Sequence, residues 1–243
     1  MQTFSFLLKN IYKLYRCEGK RKVALKRLCY NSKRKETHRM NAVIYIHGKS
    51  GNSKEANHYQ SLFKEYDVIG LDYKGNTPWD VKKEIEEVFK TLNKKYKHII
   101  LIANSIGAYY ALNSNIEADH AFFISPIVDM EKMIIDMMKW ANVTEDQLEK
   151  EKIIHTEFNE DLSWDYLTYV RSHSIRWTIP TDILYGENDQ MIAIETINKF
   201  TKKHVATITI MKEGEHWFHT KKQMAYLDQW INKCIKNEYT IRK

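Results

Sequence analysis

From position 41 onward the chain alternates between two hydrophobic rhythms. Short runs that are apolar throughout and rich in β-branched residues stand at 42–46, 66–71, 98–103, 120–124, 181–185 and 205–211. Between most of them, at 54–63, 79–96, 106–113, 192–203 and 221–236, apolar positions recur every three or four residues. The first rhythm predicts strands buried on both faces, and the second predicts amphipathic helices that cover them. The alternation therefore predicts a doubly wound α/β domain with a mainly parallel sheet of about six strands.

One interval breaks the alternation. Residues 126–177 show no strand pattern, yet they hold four of the nine methionines (Met130, Met133, Met137, Met138) and three of the six tryptophans (Trp140, Trp164, Trp177). Met130, Met133, Met137 and Trp140 share one helical face, and Thr144 with Gln147 forms a capping-box pattern. Two or three helices inserted above the sheet are expected, as a helical lid spanning 127–177. Such a stripe is either ordinary core packing or the wall of an acyl pocket, where methionine adapts to varied shapes. Met133, Met137 and Trp140, together with Trp217, are the expected pocket residues.

Length and charge refine this picture. The 243 residues, 43% apolar, suit one large α/β domain. The net charge of +7 is unevenly spread: residues 1–39 carry twelve Lys or Arg against two Glu, which leaves the remainder at −3. No basic groove, and so no nucleic-acid partner, is expected in residues 40–243. Within the basic extension, Phe4, Leu7, Leu8, Ile11, Tyr12 and Tyr15 recur at helical spacing. It reads either as a solvated extension or as an arm for peripheral contact with a membrane surface or a partner. Met40, just before the first strand, is a possible natural start. No run approaches the roughly 18 apolar residues needed to cross a bilayer, and residues 1–8 do not form a secretory signal. Cys17, Cys29 and Cys234 have neither metal-ligand nor disulfide spacing, so a reducing cytoplasm is the default location and no metal is expected. Nothing in the sequence fixes the oligomeric state.

The chemistry concentrates in a few loops. At 98–108 the sequence HIILIANSIGA places an apolar strand, then Ala103-Asn104-Ser105-Ile106-Gly107, then a helix. A serine on a sharp strand-to-helix turn projects its hydroxyl from the sheet edge, and small residues two before and two after relieve crowding. Ser105 is thus the candidate nucleophile, with a helix N-cap serine as the plainer alternative.

A serine needs a base, and the base needs an orienting carboxylate. The strand at 181–185 runs into Gly186-Glu187-Asn188-Asp189, and the next strand runs into Gly214-Glu215-His216. Asp189 and His216 therefore fall on loops at the same sheet edge as Ser105. Glu187 and Asp182 are rivals to Asp189, His219 is a rival to His216, and Ser50 is the nearby rival nucleophile. After the first strand, His47-Gly48-Lys49-Ser50-Gly51 forms a small-residue loop. The backbone N–H groups of Lys49 and Ile106 are the expected oxyanion-hole donors. A phosphate loop is disfavoured because the first glycine of its motif, separated by four residues from Gly-Lys-Ser, is missing: Val43 stands there. His47 reads as a buried, hydrogen-bonded structural histidine.

The His47-Gly48 pair, Ser105 in its turn, the GxxD stretch ending at Asp189 and the GEH stretch ending at His216 resemble the α/β-hydrolase superfamily, in particular small bacterial cytoplasmic hydrolases of uncharacterised substrate. The resemblance covers nearly all of the chain after Met40. It implies a serine hydrolase fold with a helical cap, and the expected triad mechanism needs no metal or organic cofactor. Two departures stand out: Ala103 replaces the usual glycine, and the two antiparallel strands that open the family's sheet have no counterpart. The expected activity is hydrolysis of small to medium acyl esters through Ser105, His216 and Asp189. The same groups would also serve an amidase, a peptidase or an acyltransferase. A non-catalytic hydrolase-like protein tethered by the basic arm is the alternative from outside enzymology.

Overall fold

The computed structural model describes residues 41–241; the basic extension and its expected amphipathic helix lie outside the described residues. Six strands build one sheet: β1 (Asn41–Ile46), β2 (Asp67–Gly70), β3 (His98–Asn104), β4 (His120–Ile124), β7 (Thr181–Gly186) and β8 (Ala206–Met211). Their order is β2-β1-β3-β4-β7-β8 and every pairing is parallel. No antiparallel strand joins this sheet among the described residues. The connection from β1 leads to one side and that from β3 to the other, so the topological switch point lies between β1 and β3. Open α/β sheets bind ligands at that point, beyond the carboxyl ends of the strands.

Both faces of the sheet are covered, which explains why its strands are apolar at every position. Ile44, Ile46, Leu101 and Ala103 face one cluster, packed by helix α1 (Pro78–Lys95), α2 (Ile106–Asn113) and α6 (Ile194–Lys203). Val43, Tyr45, Ile100 and Ile102 face the other, packed by a 3₁₀ segment (Ser53–Ser61) and α7 (Lys221–Ile241). Helix α1 shows how the sequence drives this. Thr77 caps it by accepting from the Asp80 amide, Pro78 occupies its first turn, and Val81, Ile85, Phe89 and Leu92 form its buried stripe. Phe122 and Phe123, neighbours on β4, are wholly buried on opposite faces, each contributing about 1.5–3 kcal/mol of burial.

The insertion between β4 and β7 holds three helices, α3 (Met130–Trp140), α4 (Glu145–Glu151) and α5 (Trp164–Ser172). It also holds an element that the sequence pattern misses: an antiparallel hairpin of β5 (Ile153–His155) and β6 (Asp161–Ser163). The expected all-helical lid is corrected to this extent. Three-residue strands are too short to show a period of two, and the hairpin is shaped by backbone turns instead. Lys152 takes φ 67° at the end of α4 and Asn159 takes φ 59° in the loop. Thr156 closes the loop, its amide and hydroxyl both donating to the Glu160 carbonyl. Arg171 on α5 ties the helices together through Glu131 on α3, at 2.8 Å, and both carboxylate oxygens of Glu145 on α4, at 2.7 Å. That guanidinium holds the Glu145 carboxyl below the usual carboxylate range.

Candidate active site

Ser105 stands where β3 gives way to α2, with φ 51° and ψ −118°. This left-handed conformation strains a non-glycine residue and persists only where the surroundings impose it. They do so on three sides. The Ser105 amide donates to the Ile124 carbonyl, its own carbonyl accepts from Ala108 and Ile127, and Gly107 lies against the end of β1. A Cβ on Gly107 would come within 2.5 Å of the carbonyl oxygens of both Ile46 and His47. The Ser105 hydroxyl does not cap α2. It meets His216 Nε2 at 2.9 Å.

His216 comes from the loop after β8 and Asp189 from the loop after β7. His216 Nδ1 lies 2.7 Å from Asp189 Oδ2, and the Asp189 side chain has no exposed surface. A carboxylate only accepts, so Nδ1 carries the proton and Nε2 is left to accept from the serine hydroxyl. Asp189 Oδ1 receives the amides of Met191, at 2.8 Å, and Ile192, at 3.0 Å. The two loops are locked together by the Asn188 amide on the Gly214 carbonyl, 2.7 Å. This approach requires glycine at 186, where a Cβ would sit 2.5 Å from the Glu215 carbonyl oxygen. Tyr185 steadies the same loop by donating to the Ile192 carbonyl at 2.6 Å. Burial, helped by the charges of Asp189 and Glu195, pushes its phenol up to about 12, so it stays a neutral donor.

The rival residues are engaged elsewhere. Asp182 pairs with His120 and Thr207, Glu187 accepts from the Glu213 amide, and His219 Nδ1 donates to the Trp217 carbonyl. Ser50 is exposed, in a turn.

Beside Ser105 opens a cavity of about 450 Å³. Ile127, Met130, Met133, Ile134, Met137 and Leu162 wall it with apolar surface, and both Lys49 and Ile106 border it. Ile106 is the first residue of α2, so its amide has no intrahelical acceptor. The methionine stripe of α3 is therefore core and cavity wall at once: Met130 and Met133 are buried, while Trp140 reaches the mouth and is 54% exposed. Trp217 is corrected. The chain bends at His216 and carries its indole outward, 66% exposed and stacked on His219, so it takes no part in walling the cavity. Sequence reasoning missed other cavity residues, among them Phe158 and Glu160 from the hairpin loop and Met191 from the Asp189 loop, which no periodic pattern marks. Lys49 forms an ion pair with Glu160 across the mouth. A larger cavity, about 730 Å³, lies at the amino ends of the strands, bordered by Asn41, His98 and His120, and is lined by none of Ser105, Asp189, His216, Lys49 and Ile106. Among the described residues no group of His, Cys, Asp or Glu is placed to hold a metal ion, and no helix is long and apolar enough to cross a membrane.

The architecture has relatives among solved structures. The α/β-hydrolase domain-containing protein 10 from mouse matches with a TM-score of 0.65 at 17% identity, over 81% of this chain and 90% of that one. A lipase-esterase related protein from Clostridium acetobutylicum matches with a TM-score of 0.51 at 16% identity, over 82% and 94%. An esterase from Pyrococcus furiosus matches with 0.50 at 18%, over 81% and 80%. No protein-family model and no curated protein matches the sequence. At such identities the likeness establishes the fold: this chain has the α/β-hydrolase fold.

Proposed function

We propose that the protein is a serine hydrolase of carboxylic esters with small to medium acyl chains, working through an acyl-enzyme. The observation that carries this reading is the continuous chain Ser105 Oγ, His216 Nε2, His216 Nδ1, Asp189 Oδ2, with links of 2.9 and 2.7 Å, at the edge of an apolar cavity. Ser105 Oγ attacks the ester carbonyl carbon as its proton passes to His216 Nε2. The backbone N–H groups of Lys49 and Ile106 receive the developing oxyanion. Collapse breaks the carbon–oxygen bond to the alcohol, which leaves with the proton from Nε2. Water then repeats the sequence on the acyl-enzyme and returns Ser105 to its free state. Asp189 holds the ring and stabilises the imidazolium. The acyl chain lies along Met133 and Met137, where each buried methylene contributes up to about 0.8 kcal/mol.

The test is labelling with a fluorophosphonate together with turnover of p-nitrophenyl esters. Ser105 is expected to carry the label, and Ser105→Ala is expected to stay folded while turnover falls at least about a thousandfold. Label on Ser50, or turnover retained in Ser105→Ala, would overturn the assignment.

A further inference from the structure

The mouth of the cavity beside Ser105 differs in chemistry from its wall. Within, Met130, Met133, Ile134 and Leu162 offer apolar surface. At the mouth stand two opposite charges, Lys49 from the loop after β1 and Glu160 from the hairpin loop, joined as an ion pair. Trp140 and Phe158, which border the same cavity, meet edge to face with centroids 6.3 Å apart and planes at 77°, and both rings are exposed.

The hairpin holds this arrangement in place. The Glu160 carbonyl accepts from the Thr156 amide at 3.0 Å and from the Thr156 hydroxyl at 2.7 Å, and the Glu160 amide donates back to that hydroxyl oxygen at 3.2 Å. Its neighbour Asp161 accepts from His155 Nδ1 at 2.6 Å. Lys49, on the other side, carries one of the two amides that receive the oxyanion in the mechanism above. Its side chain therefore starts beside the scissile carbonyl and ends at the mouth, along the path of whatever part of the ester lies outside the apolar wall. With the acyl chain along Met133 and Met137, that part is the alcohol.

The charge balance says which alcohol fits. The ion pair has no net charge, so a cationic alcohol gains Glu160 but meets Lys49, and a carboxylated alcohol meets the reverse. A neutral alcohol with hydroxyls on neighbouring carbons uses both at once. One hydroxyl donates to the Glu160 carboxylate while another accepts from the Lys49 ammonium, and hydrogen bonds to charged groups are roughly twice as strong as neutral ones. The C–H groups of such an alcohol are slightly positive, and the exposed face of Trp140 is negative. A plain alkyl alcohol uses the ring alone.

We propose that the Lys49 and Glu160 side chains, with the face of Trp140, select esters whose alcohol is a polyol, for which glycerol and a sugar are the two sources. The inference rests on the serine-hydrolase reading and names the alcohol half of its substrate. The bonds made and broken are those given above: the polyol leaves by its ester oxygen with the proton from His216 Nε2.

The experiment compares 1-butyrylglycerol with propyl butyrate, which differ only in two hydroxyls, and adds 6-O-butyrylglucose, butyrylcholine and O-butyrylglycolate, all at low salt. The wild-type kcat/KM is expected to be at least about tenfold higher for butyrylglycerol than for propyl butyrate, and higher than for either charged ester. Whichever of the glycerol and glucose esters is faster names the source. Lys49→Met keeps the backbone amide and removes the ammonium, and Glu160→Ala removes the carboxylate. Each should bring the ratio of glycerol to propyl ester within about threefold of one. The freed partner should also show itself: relative to propyl butyrate, butyrylcholine gains about fivefold in Lys49→Met and butyrylglycolate gains as much in Glu160→Ala. A general loosening of the loop does not produce that exchange of preference. Propyl butyrate as good as butyrylglycerol, either charged ester ahead of it in the wild-type protein, or an unchanged glycerol-to-propyl ratio in either variant would overturn the inference. The wild-type comparison stands even if a variant does not fold. Absence of turnover on every ester, with no fluorophosphonate label on Ser105, would instead overturn the serine-hydrolase reading.

Discussion

Gly107→Ala adds a single methyl group where the serine turn touches the end of β1, and its consequences can be worked out from the contacts. The new Cβ would lie 2.5 Å from the carbonyl oxygens of Ile46 and His47, about 0.9 Å inside the 3.4 Å at which ordinary contact begins. Both opposing atoms are backbone, and the Ile46 end of β1 is paired with Ala103 of β3, so no flexible side chain can absorb the overlap. Overpacking of this kind costs typically 1–3 kcal/mol. Alanine returns about 1 kcal/mol of helix propensity at a position inside α2. The net loss of up to about 2 kcal/mol lowers Tm by up to about 8 °C for a domain of this size. Activity should suffer more than stability, because relief of the overlap displaces His47 and with it the Lys49 amide relative to Ser105. A shift approaching 1 Å in such a group costs about a hundredfold. Gly48→Ala is the control: its Cβ would meet Asn104 and Ser105 at 3.4 Å, an ordinary contact, and its Tm should move by less than about 2 °C. Thermal unfolding and kcat/KM on one ester, measured for both variants, decide the matter. Wild-type Tm and activity in Gly107→Ala, or a larger penalty in Gly48→Ala, would refute the packing argument.

Three other outcomes follow from the same geometry. Asp189→Asn can keep its oxygen on the Met191 and Ile192 amides only by turning an NH₂ toward His216 Nδ1, which forces the wrong tautomer; kcat should drop about 10⁴-fold with little change in the circular dichroism spectrum. Met137→Ala and Trp140→Ala widen the cavity and its mouth, so the rise of kcat/KM with acyl length from acetyl to hexanoyl should flatten while fluorophosphonate labelling continues; an unchanged profile would place the acyl chain elsewhere. Burial tends to raise the Asp182 carboxyl, but hydrogen bonds from His120 and Thr207 outweigh it and hold the group below its ordinary value. Its stabilisation is therefore complete above the unfolded carboxylate value near 3.9 and is lost as pH falls through the lower folded value. Asp182→Asn should destabilise the neutral protein by about 1–3 kcal/mol and shrink the further loss seen below about pH 4, as measured by urea unfolding at several pH values.

The sheet was legible because burial on both faces leaves a strong mark. HIILIAN at β3 and HAFFI at β4 contain no polar residue between their ends, and the structure packs both faces of each. The stripe on α3 was legible for the same reason, a helical period with one apolar face. The hairpin of β5 and β6 was not. Its six residues carry no period, and its shape comes from two left-handed residues and a threonine that bonds across the loop, features that a pattern of apolar positions does not record.

Within the site, legibility divides according to whether a residue is placed by its element or by the chain's direction at one bond. Ser105, Asp189 and His216 each follow a strand end, so parallel strands alone bring their backbones to one edge, and the structure joins them by hydrogen bonds. Trp217 adjoins His216 in sequence, yet the bend between them turns one side chain toward Ser105 and the other into solvent. His47 shows the opposite case. Its burial is readable from an apolar strand end, but its stacking on Tyr73, twenty-six residues away on the loop after β2, and the contact of its Nδ1 with the Gly48 carbonyl are not. A motif locates such a histidine beside the candidate oxyanion hole. Only the directions of the surrounding donors and acceptors say what it meets.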